Sequence, residues 1–229
     1  MPNSLTMESV PNQRDNKSDS FAPSTALTYL DPHYWDERFS EEEHYEWFKD
    51  YTHFRHLILQ HIPRSSSVLE VGCGNSQLSD EMYKDGIKNI TCTDLSPIAV
   101  DKVQKRLSSK GYKEIKAMVA DMLDLPFGDE TFDVIIEKGT MDVLFVDSGD
   151  PWNPNPVTIS KVKAMLQGIH RVLKPDGLFI SISFGQGTQS LSTRPPSESV
   201  ALPSICLFQE ELEGEDYLFR TSIDEMEDG

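Results

Sequence analysis

The residues best suited to chemistry form a glycine-rich turn with a carboxylate just before it. Glu70 stands two positions before Gly72, and Gly74 follows after one further residue. The turn comes directly after a short apolar run and opens a predicted helix, so its glycines let a ligand approach the backbone at the carboxyl end of a strand. Dinucleotide-binding enzymes use a similar turn, so the glycines alone do not identify the ligand.

Three details around this turn distinguish between possible ligands. A dinucleotide fingerprint would place its third glycine at position 77, which is Gln77 here. The Glu70 carboxylate would repel a pyrophosphate but attract the ammonium and sulfonium groups of S-adenosylmethionine. Asp94 ends the second predicted strand about 20 residues downstream, where a carboxylate can bind both ribose hydroxyls. Together Glu70 and Asp94 favour S-adenosylmethionine, whereas either one alone is equally consistent with a helix cap or a surface salt bridge.

Polar residues also follow the third and fourth predicted strands. Asp121 can accept a hydrogen bond from an adenine amino group, while the backbone N–H of Met122 meets a ring nitrogen. Glu137, Lys138 and Asp142 follow the fourth strand, where substrate would meet a methyl donor in a doubly wound sheet. A loop aspartate in a turn and a solvated strand-end lysine are the alternative interpretations of Asp121 and Lys138.

Alternating strands and helices are predicted to position these residues. Short apolar runs predict the strands, and apolar residues spaced three and four apart, with capping residues, predict the helices. This alternation predicts a doubly wound, mostly parallel α/β sheet with helices on both faces. The predicted strands are 67–71, 90–93, 115–119, 134–136 and 178–184, and the predicted helices are 45–61, 76–84, 97–109 and 159–173.

The composition predicts one domain with less ordered ends. Of the 229 residues only 38% are hydrophobic, which is low for a fully packed chain. Residues 1–28 are rich in Ser, Asn, Pro and Asp without periodicity and are predicted to be disordered, and the domain is predicted over 29–186. Residues 187–229 predict an acidic, largely disordered tail, although apolar runs at 200–208 and 217–223 could pair as a hairpin.

Charge and cysteine usage restrict the function classes. The net charge of −17 argues against direct binding of nucleic acid and for a basic partner surface. No segment has the features of a signal peptide or of a membrane span of ~20 apolar residues, so no membrane association is expected. The three cysteines are odd in number and widely spaced, which favours a cytoplasmic location and predicts neither a disulfide framework nor a metal site.

Four segments together resemble one group of class I, seven-stranded S-adenosylmethionine-dependent methyltransferases. The group comprises the methyltransferase-like proteins that include lysine methyltransferases of translation elongation factor one-alpha. The resemblance covers roughly residues 29–186 and implies a Rossmann-like methyltransferase fold, a protein-lysine methyltransferase activity and elongation factor one-alpha as a partner. The segments are Tyr34-Trp35-Asp36-Glu37-Arg38-Phe39, Tyr45-Glu46-Trp47-Phe48, Leu69-Glu70-Val71-Gly72-Cys73-Gly74-Asn75-Ser76 and Glu137-Lys138-Gly139-Thr140-Met141-Asp142.

The resemblance also implies roles for single residues. Trp35, Phe39 and Trp47 are expected to close over the cofactor; without the resemblance, packing on the sheet edge would explain them. Phe39 stands where some members carry tyrosine, so a hydroxyl contact is expected to be absent there. Further cofactor contacts are implied at Gly72, Asp94, Leu95, Asp121, Met122 and Lys138.

The acceptor and the end of the chain leave alternatives open. Asp142 or Glu137 could orient an incoming lysine ammonium. A small-molecule methyltransferase and a non-catalytic binding protein are the alternative functions. Proteins of this fold continue past the fifth strand into a helix and two more strands, but no family-like residues follow position 186, so the usual last strands are expected to be missing.

Overall fold

The computed structural model describes residues 22–150 and 153–183, together with the backbone of two strands at 204–208 and 219–221. Short 3-10 helices span Ala26–Leu30 and Met141–Phe145. In chain order the other elements are α1 (Pro32–Glu41), α2 (Tyr51–His61), β1 (Val68–Val71), α3 (Leu78–Lys84), β2 (Ile90–Asp94), α4 (Pro97–Lys110), β3 (Lys116–Val119), β4 (Phe132–Lys138), β5 (Gly149–Asp150), β6 (Asn153–Pro154), α5 (Pro156–Val172), β7 (Leu173–Ser183), β8 (Ser204–Phe208) and β9 (Phe219–Thr221).

Within this described part, seven strands form one sheet in the order β3-β2-β1-β4-β7-β8-β9. Neighbouring strands pair in parallel, except that β8 and β9 pair antiparallel. The chain moves outward from β1 to β2 and β3 on one side and then returns to β4 on the other. This order confirms the predicted doubly wound, mostly parallel sheet and creates a switch point between β1 and β4, where such sheets bind ligands.

Strand β1 shows why the sheet is buried on both faces. Val68 packs into one apolar core, with α2, α3 and α4, while Leu69 and Val71 pack into a second core, with α5. Successive side chains of a strand point to opposite faces, so a strand covered on both sides is a continuous apolar run. Glu70 interrupts that run, and its side chain is nevertheless buried.

The helix predicted over 45–61 begins instead at Tyr51. The Asp50 side chain caps it by accepting a hydrogen bond from the Thr52 N–H at 2.9 Å. Phe48 has a φ of +64°, a left-handed conformation that an α-helix cannot contain. Residues 45–50 therefore form an irregular segment, and the prediction that the helix includes them is wrong. Helix α4, in contrast, begins where predicted, with the Ser96 side chain as its cap.

The sheet continues beyond β7, so the expectation that the last strands are missing is wrong. Strand β8 pairs with β7 from Phe179–Ser204 to Ser183–Phe208, and β9 pairs with β8 from Ser204–Thr221 to Cys206–Phe219. Both strands fall within the apolar runs that offered a hairpin, and they pair because the edge of β7 has backbone donors and acceptors to satisfy. The remainder of the predicted tail, like residues 1–21 of the predicted N-terminal disorder, lies outside the described residues.

The 3-10 helix at Ala26–Leu30 is capped by the side chain of Thr25, so ordered structure begins slightly before the predicted start at 29. None of the helices in the described ranges has both the length and the apolar character that crossing a bilayer requires.

Candidate functional site

A cavity of about 550 Å³ lies at the carboxyl ends of the central strands. Gly72 enters its wall directly after β1, Asp94 at the end of β2, Asp121 after β3 and Lys138 at the end of β4. The volume falls in the range of ~300–1,000 Å³ typical of small-molecule sites. The cavity therefore has the position and the size of a ligand site at a topological switch point.

The structure brings all the predicted cofactor-binding residues together around this one cavity. Asp142 lines it as well, whereas Glu137 lies behind the wall. Contact between the predicted cofactor-binding residues and a cofactor stays a prediction. The predicted residues that line the cavity are Trp35, Phe39, Trp47, Glu70, Gly72, Gly74, Asp94, Leu95, Asp121, Met122 and Lys138.

The turn after β1 requires glycine at both of its predicted positions. Gly72 has a φ of +69°, and a Cβ atom there would lie 2.1 Å from Oγ1 of Thr140. Gly74 has a φ of +47°, and a Cβ there would lie 3.1 Å from the ring of Phe39. Both positions combine a left-handed backbone with a close neighbour. The backbone of the turn can therefore pack tightly while its other side faces the cavity.

The carboxylate of Asp94 is held rigidly beside this turn. Its Oδ2 accepts a hydrogen bond from the Gly74 N–H at 2.8 Å, and its Oδ1 accepts one from the Ser96 N–H at 2.9 Å. Burial raises the pKa of Asp94, and these backbone donors oppose the shift. Each carboxylate oxygen keeps a further lone pair. Asp94 can thus accept from ligand hydroxyls at a fixed position.

Glu70 is a buried acid with little to compensate its charge. The Cys92 thiol donates to Oε2 at 3.5 Å, and the side chain is 3% exposed. Burial raises the pKa of Glu70 to about 7, while the charges of Lys138 and Arg106 act in the opposite direction. An incoming cation would stabilise the ionised form. The position is therefore suited to a positively charged ligand group.

Asp121 and Met122 form a turn at the edge of the cavity. Oδ1 of Asp121 accepts a hydrogen bond from the Leu123 N–H at 2.8 Å, and its backbone bridges to Asp124. Asp121 is thus a turn aspartate and a cavity residue at the same time. The two interpretations offered by the sequence are compatible.

Aromatic side chains from residues 29–47, called the N-terminal segment below, form the wall of the cavity opposite the strand ends. The ring of Trp35 stacks on that of Phe39 at 5.6 Å and on that of Tyr29 at 5.5 Å. Trp47 meets Tyr29 edge-on at 5.6 Å. Such faces can pack against a flat heterocycle or attract a cation. The resemblance implied Trp35, Phe39 and Trp47 for this wall, but Tyr29 was not predicted as a site residue.

Glu46 is the functional candidate that the sequence did not reveal. Its Oε1 accepts from the Gln77 N–H at 2.7 Å, and its Oε2 lies 2.7 Å from Nζ of Lys138. Gln77 and Lys138 are 31 and 92 positions away. A contact between residues so far apart has no local sequence signature, so only the fold could reveal it.

The two candidate acids, Glu137 near the end of β4 and Asp142 after it, have different surroundings. Oε2 of Glu137 accepts from the N–H groups of Thr140 and Met141 at 2.9 and 3.0 Å, and the Ser181 hydroxyl donates to Oε1. Burial, reinforced by the charge of Asp142, raises the pKa of Glu137 to about 7. Asp142 lines the cavity itself. Glu137 therefore braces the turn from behind, and Asp142 is the acid that can meet a ligand.

Comparison with known proteins gives a consistent family. Residues 63–213 match the model of a family described as Methyltransferase domain. The chain is 35% identical over 164 residues to EEF1A lysine methyltransferase 4 of Mus musculus, covering 70% of this chain and 64% of that protein. It is 35% identical over 166 residues to the eEF1A lysine and N-terminal methyltransferase homolog of Drosophila melanogaster, covering 72% of this chain and 24% of that protein. The chain thus spans less than two thirds of these curated relatives.

Among solved structures, the chain is similar to the PH0226 protein from Pyrococcus horikoshii OT3. The superposition has a TM-score of 0.49 at 22% sequence identity, and it covers 70% of this chain and 66% of that one.

Proposed function

The chain belongs to the methyltransferase domain family, and from this premise we propose that it transfers a methyl group from S-adenosylmethionine to a lysine of a protein substrate. The observation that carries the proposal is the convergence of Glu70, Asp94 and Asp121 on the cavity that the glycine turn and the aromatic wall enclose. When bound, S-adenosylmethionine supplies an electrophilic methyl group on a sulfonium.

The chemistry of the cavity fits this cofactor group by group. Glu70 is a buried acid suited to the amino group and the sulfonium, and Asp94 can accept from the ribose hydroxyls. Asp121 and the N–H of Met122 are assigned to the adenine edge. Trp35 offers an aromatic face that also attracts a cation. A dinucleotide fits less well, because its pyrophosphate would meet Glu70.

The residues of the chain have two tasks in such a reaction. Methyl transfer from a sulfonium is an in-line displacement, so the acceptor must be held close to the methyl with water excluded. A lysine amine must also lose its proton first, because its ordinary pKa is ~10.4; desolvation on entering the site favours the neutral amine, and the proton leaves to solvent. We assign the orientation of the incoming amine to Asp142, whose Oδ1 accepts a hydrogen bond from the Ser183 hydroxyl at 3.0 Å.

Translation elongation factor one-alpha is the protein substrate that we propose. The support is that the names of the curated relatives from Mus musculus and Drosophila melanogaster refer to lysine methylation of that factor. The net charge of −17 suits a basic partner surface. A cytoplasmic location would bring the chain to this factor.

A transfer assay tests this proposal. The full chain is incubated with S-adenosylmethionine carrying a labelled methyl group and with unmethylated elongation factor one-alpha. Mass spectrometry then locates the label. We expect label on a lysine of the factor, none when its lysines have been acetylated, and none with a Gly72→Ala variant of the chain.

Two other results would each support a different function. Label that appears only in small molecules, when a metabolite extract replaces the factor, would indicate a small-molecule methyltransferase. Binding of the cofactor without transfer to either acceptor would indicate a non-catalytic binding protein. Either result contradicts the proposed protein-lysine activity.

A further inference from the structure

The N-terminal segment is tied to the turns beneath the cavity by three carboxylates. Asp36 accepts from the hydroxyl of Ser96, which follows β2. Glu42 accepts from Nδ2 of Asn75 at 3.2 Å, and Glu46 contacts the same turn after β1. These carboxylates lie on the segment that also carries the aromatic wall. The wall is therefore held onto the sheet by polar contacts in addition to ring packing.

Glu46 differs from the other two because it joins the turn after β1 to the end of β4. Through Gln77 and the hydroxyl of Ser76, which donates to Oε2 at 2.9 Å, it holds the turn after β1. Through Lys138 it holds the end of β4, at 2.7 Å. The side chains of Glu46 and Lys138 are 17% and 5% exposed. Hydrogen bonds to charged groups that are shielded from water are among the strongest in proteins.

The same contacts hold the backbone of Trp47. Nζ of Lys138 donates to the carbonyl oxygen of Trp47 at 2.9 Å as well as to Glu46. The Trp47 ring stands edge-on against Tyr29 and Trp35. A change in the position of Glu46 would therefore move the rings that close the cavity.

We propose that Glu46 is a positioning residue that holds the aromatic wall closed and so sets how long the cofactor is retained. This inference rests on the proposed function, because it assigns the cavity to S-adenosylmethionine. Glu46 acts through Lys138, Trp47 and the turn after β1. No contact between Glu46 and the cofactor is required.

Two substitutions in the full chain separate the contributions of Glu46. Glu46→Gln keeps an oxygen that can accept from the Gln77 N–H but loses the charge that pairs with Lys138. Glu46→Ala loses both contacts. Glu43→Gln is the matched control, because Glu43 is 91% exposed and its nearest cation, Lys102, is 3.5 Å away.

The first measurement is the rate at which S-adenosylhomocysteine dissociates, followed by stopped-flow tryptophan fluorescence. We expect Glu46→Ala to release it about tenfold faster, a difference of ~1.4 kcal/mol, with Glu46→Gln intermediate and Glu43→Gln unchanged. In the transfer assay, KM for S-adenosylmethionine should rise more than kcat falls. A purely structural role would lower the melting temperature and leave the dissociation rate unchanged, and that result would overturn the inference.

The second measurement does not depend on the cofactor. Hydrogen–deuterium exchange of the ligand-free chain should be faster over residues 44–49 in Glu46→Ala and unchanged in Glu43→Gln. Unchanged exchange in Glu46→Ala would contradict the inference even if the cofactor binds. If the wild-type chain does not bind S-adenosylhomocysteine, the proposed function and the retention role fail together. The exchange data then still decide whether Glu46 holds the wall.

Discussion

Gly72 and Thr140 pack so closely that a Cβ atom on Gly72 would lie 2.1 Å from the threonine Oγ1. The Thr140 hydroxyl also donates to the carbonyl oxygen of Val71 at 3.0 Å. This contact joins the turn after β1 to the turn after β4 at the floor of the cavity. The geometry of the cavity therefore depends on the absence of a side chain at position 72.

The Gly72→Ala substitution should abolish cofactor binding. The new methyl group would meet Thr140, and the φ of +69° would strain any residue other than glycine by ~1–2 kcal/mol. We expect calorimetric titration of Gly72→Ala with S-adenosylhomocysteine to show no binding. Gly111→Ala is the control, because Gly111 has a φ of +72° but no heavy atom within 4 Å of the added Cβ.

The control isolates backbone strain from the steric effect. Gly111→Ala should lower the free energy of unfolding by about 1 kcal/mol and leave the affinity unchanged. Equal affinities of Gly72→Ala and the wild-type chain would contradict the assignment of the turn to the ligand.

The affinity for the cofactor should depend on the ionisation of Glu70. Burial raises the pKa of Glu70 to about 7, so the group is mainly neutral below that pH and ionised above it. An ammonium group on the ligand interacts favourably with the ionised form. Binding of S-adenosylhomocysteine should therefore tighten as the pH rises through about 7, and Glu70→Gln should remove this dependence. A Glu70→Gln variant with the wild-type pH profile would rule out the role.

The raised pKa of Glu70 also makes the stability of the fold depend on pH. In the unfolded chain Glu70 titrates near ~4.3, so between that pH and about 7 the folded chain binds more protons than the unfolded chain. The contribution of Glu70 is fully present below ~4.3 and is lost as the pH rises through about 7. Urea unfolding at several pH values should show that the free energy of unfolding falls less with rising pH in Glu70→Gln than in the wild-type chain.

Asp142→Asn should reduce turnover without reducing cofactor affinity. Asp142 lines the cavity, and its carboxylate is positioned by the Ser183 hydroxyl. Loss of its charge weakens the orientation of the acceptor amine, so kcat should fall by about tenfold or more while the affinity for S-adenosylhomocysteine stays within about twofold. Unchanged turnover together with an unchanged pH profile would exclude Asp142 from the reaction.

Glu137→Ala should act on stability. The substitution leaves the buried N–H of Met141 and the part-buried N–H of Thr140 without their carboxylate acceptor, and an unmet buried donor costs ~1–3 kcal/mol. Chemical denaturation should show a loss of about 2–4 kcal/mol. Asp129→Ala, at a 76% exposed side chain, should change stability by less than about 0.5 kcal/mol. Equal stabilities of the two variants would contradict the bracing role of Glu137.

The sequence was sufficient to predict the central strands and the fact that the site residues lie around one cavity. Strands buried on both faces are short apolar runs, and Val68–Val71 is such a run apart from Glu70, directly before a glycine turn. The carboxyl ends of parallel strands meet at one edge of a sheet. Residues that end or follow different strands, such as Gly72, Asp94 and Asp121, could therefore be expected around one cavity.

The irregular segment and the last strands could not be predicted in the same way. Phe48 packs against the same core as Tyr51 and Phe54, so its spacing imitates a helix although its φ of +64° excludes one. The pairing of β8 and β9 with the sheet depends on contacts far along the chain. Local pattern carries little information about such contacts, and the same holds for the pair of Glu46 and Lys138.

Calorimetric titration of the full chain with S-adenosylhomocysteine is the most direct test of the central claim, that the cavity holds a methyl donor. At pH 8, where Glu70 is ionised, we predict saturable binding of one molecule per chain, and we predict that Gly72→Ala abolishes it. A chain that is folded by circular dichroism and yet gives no binding heat at any temperature, or a Gly72→Ala variant that binds equally well, would contradict the claim.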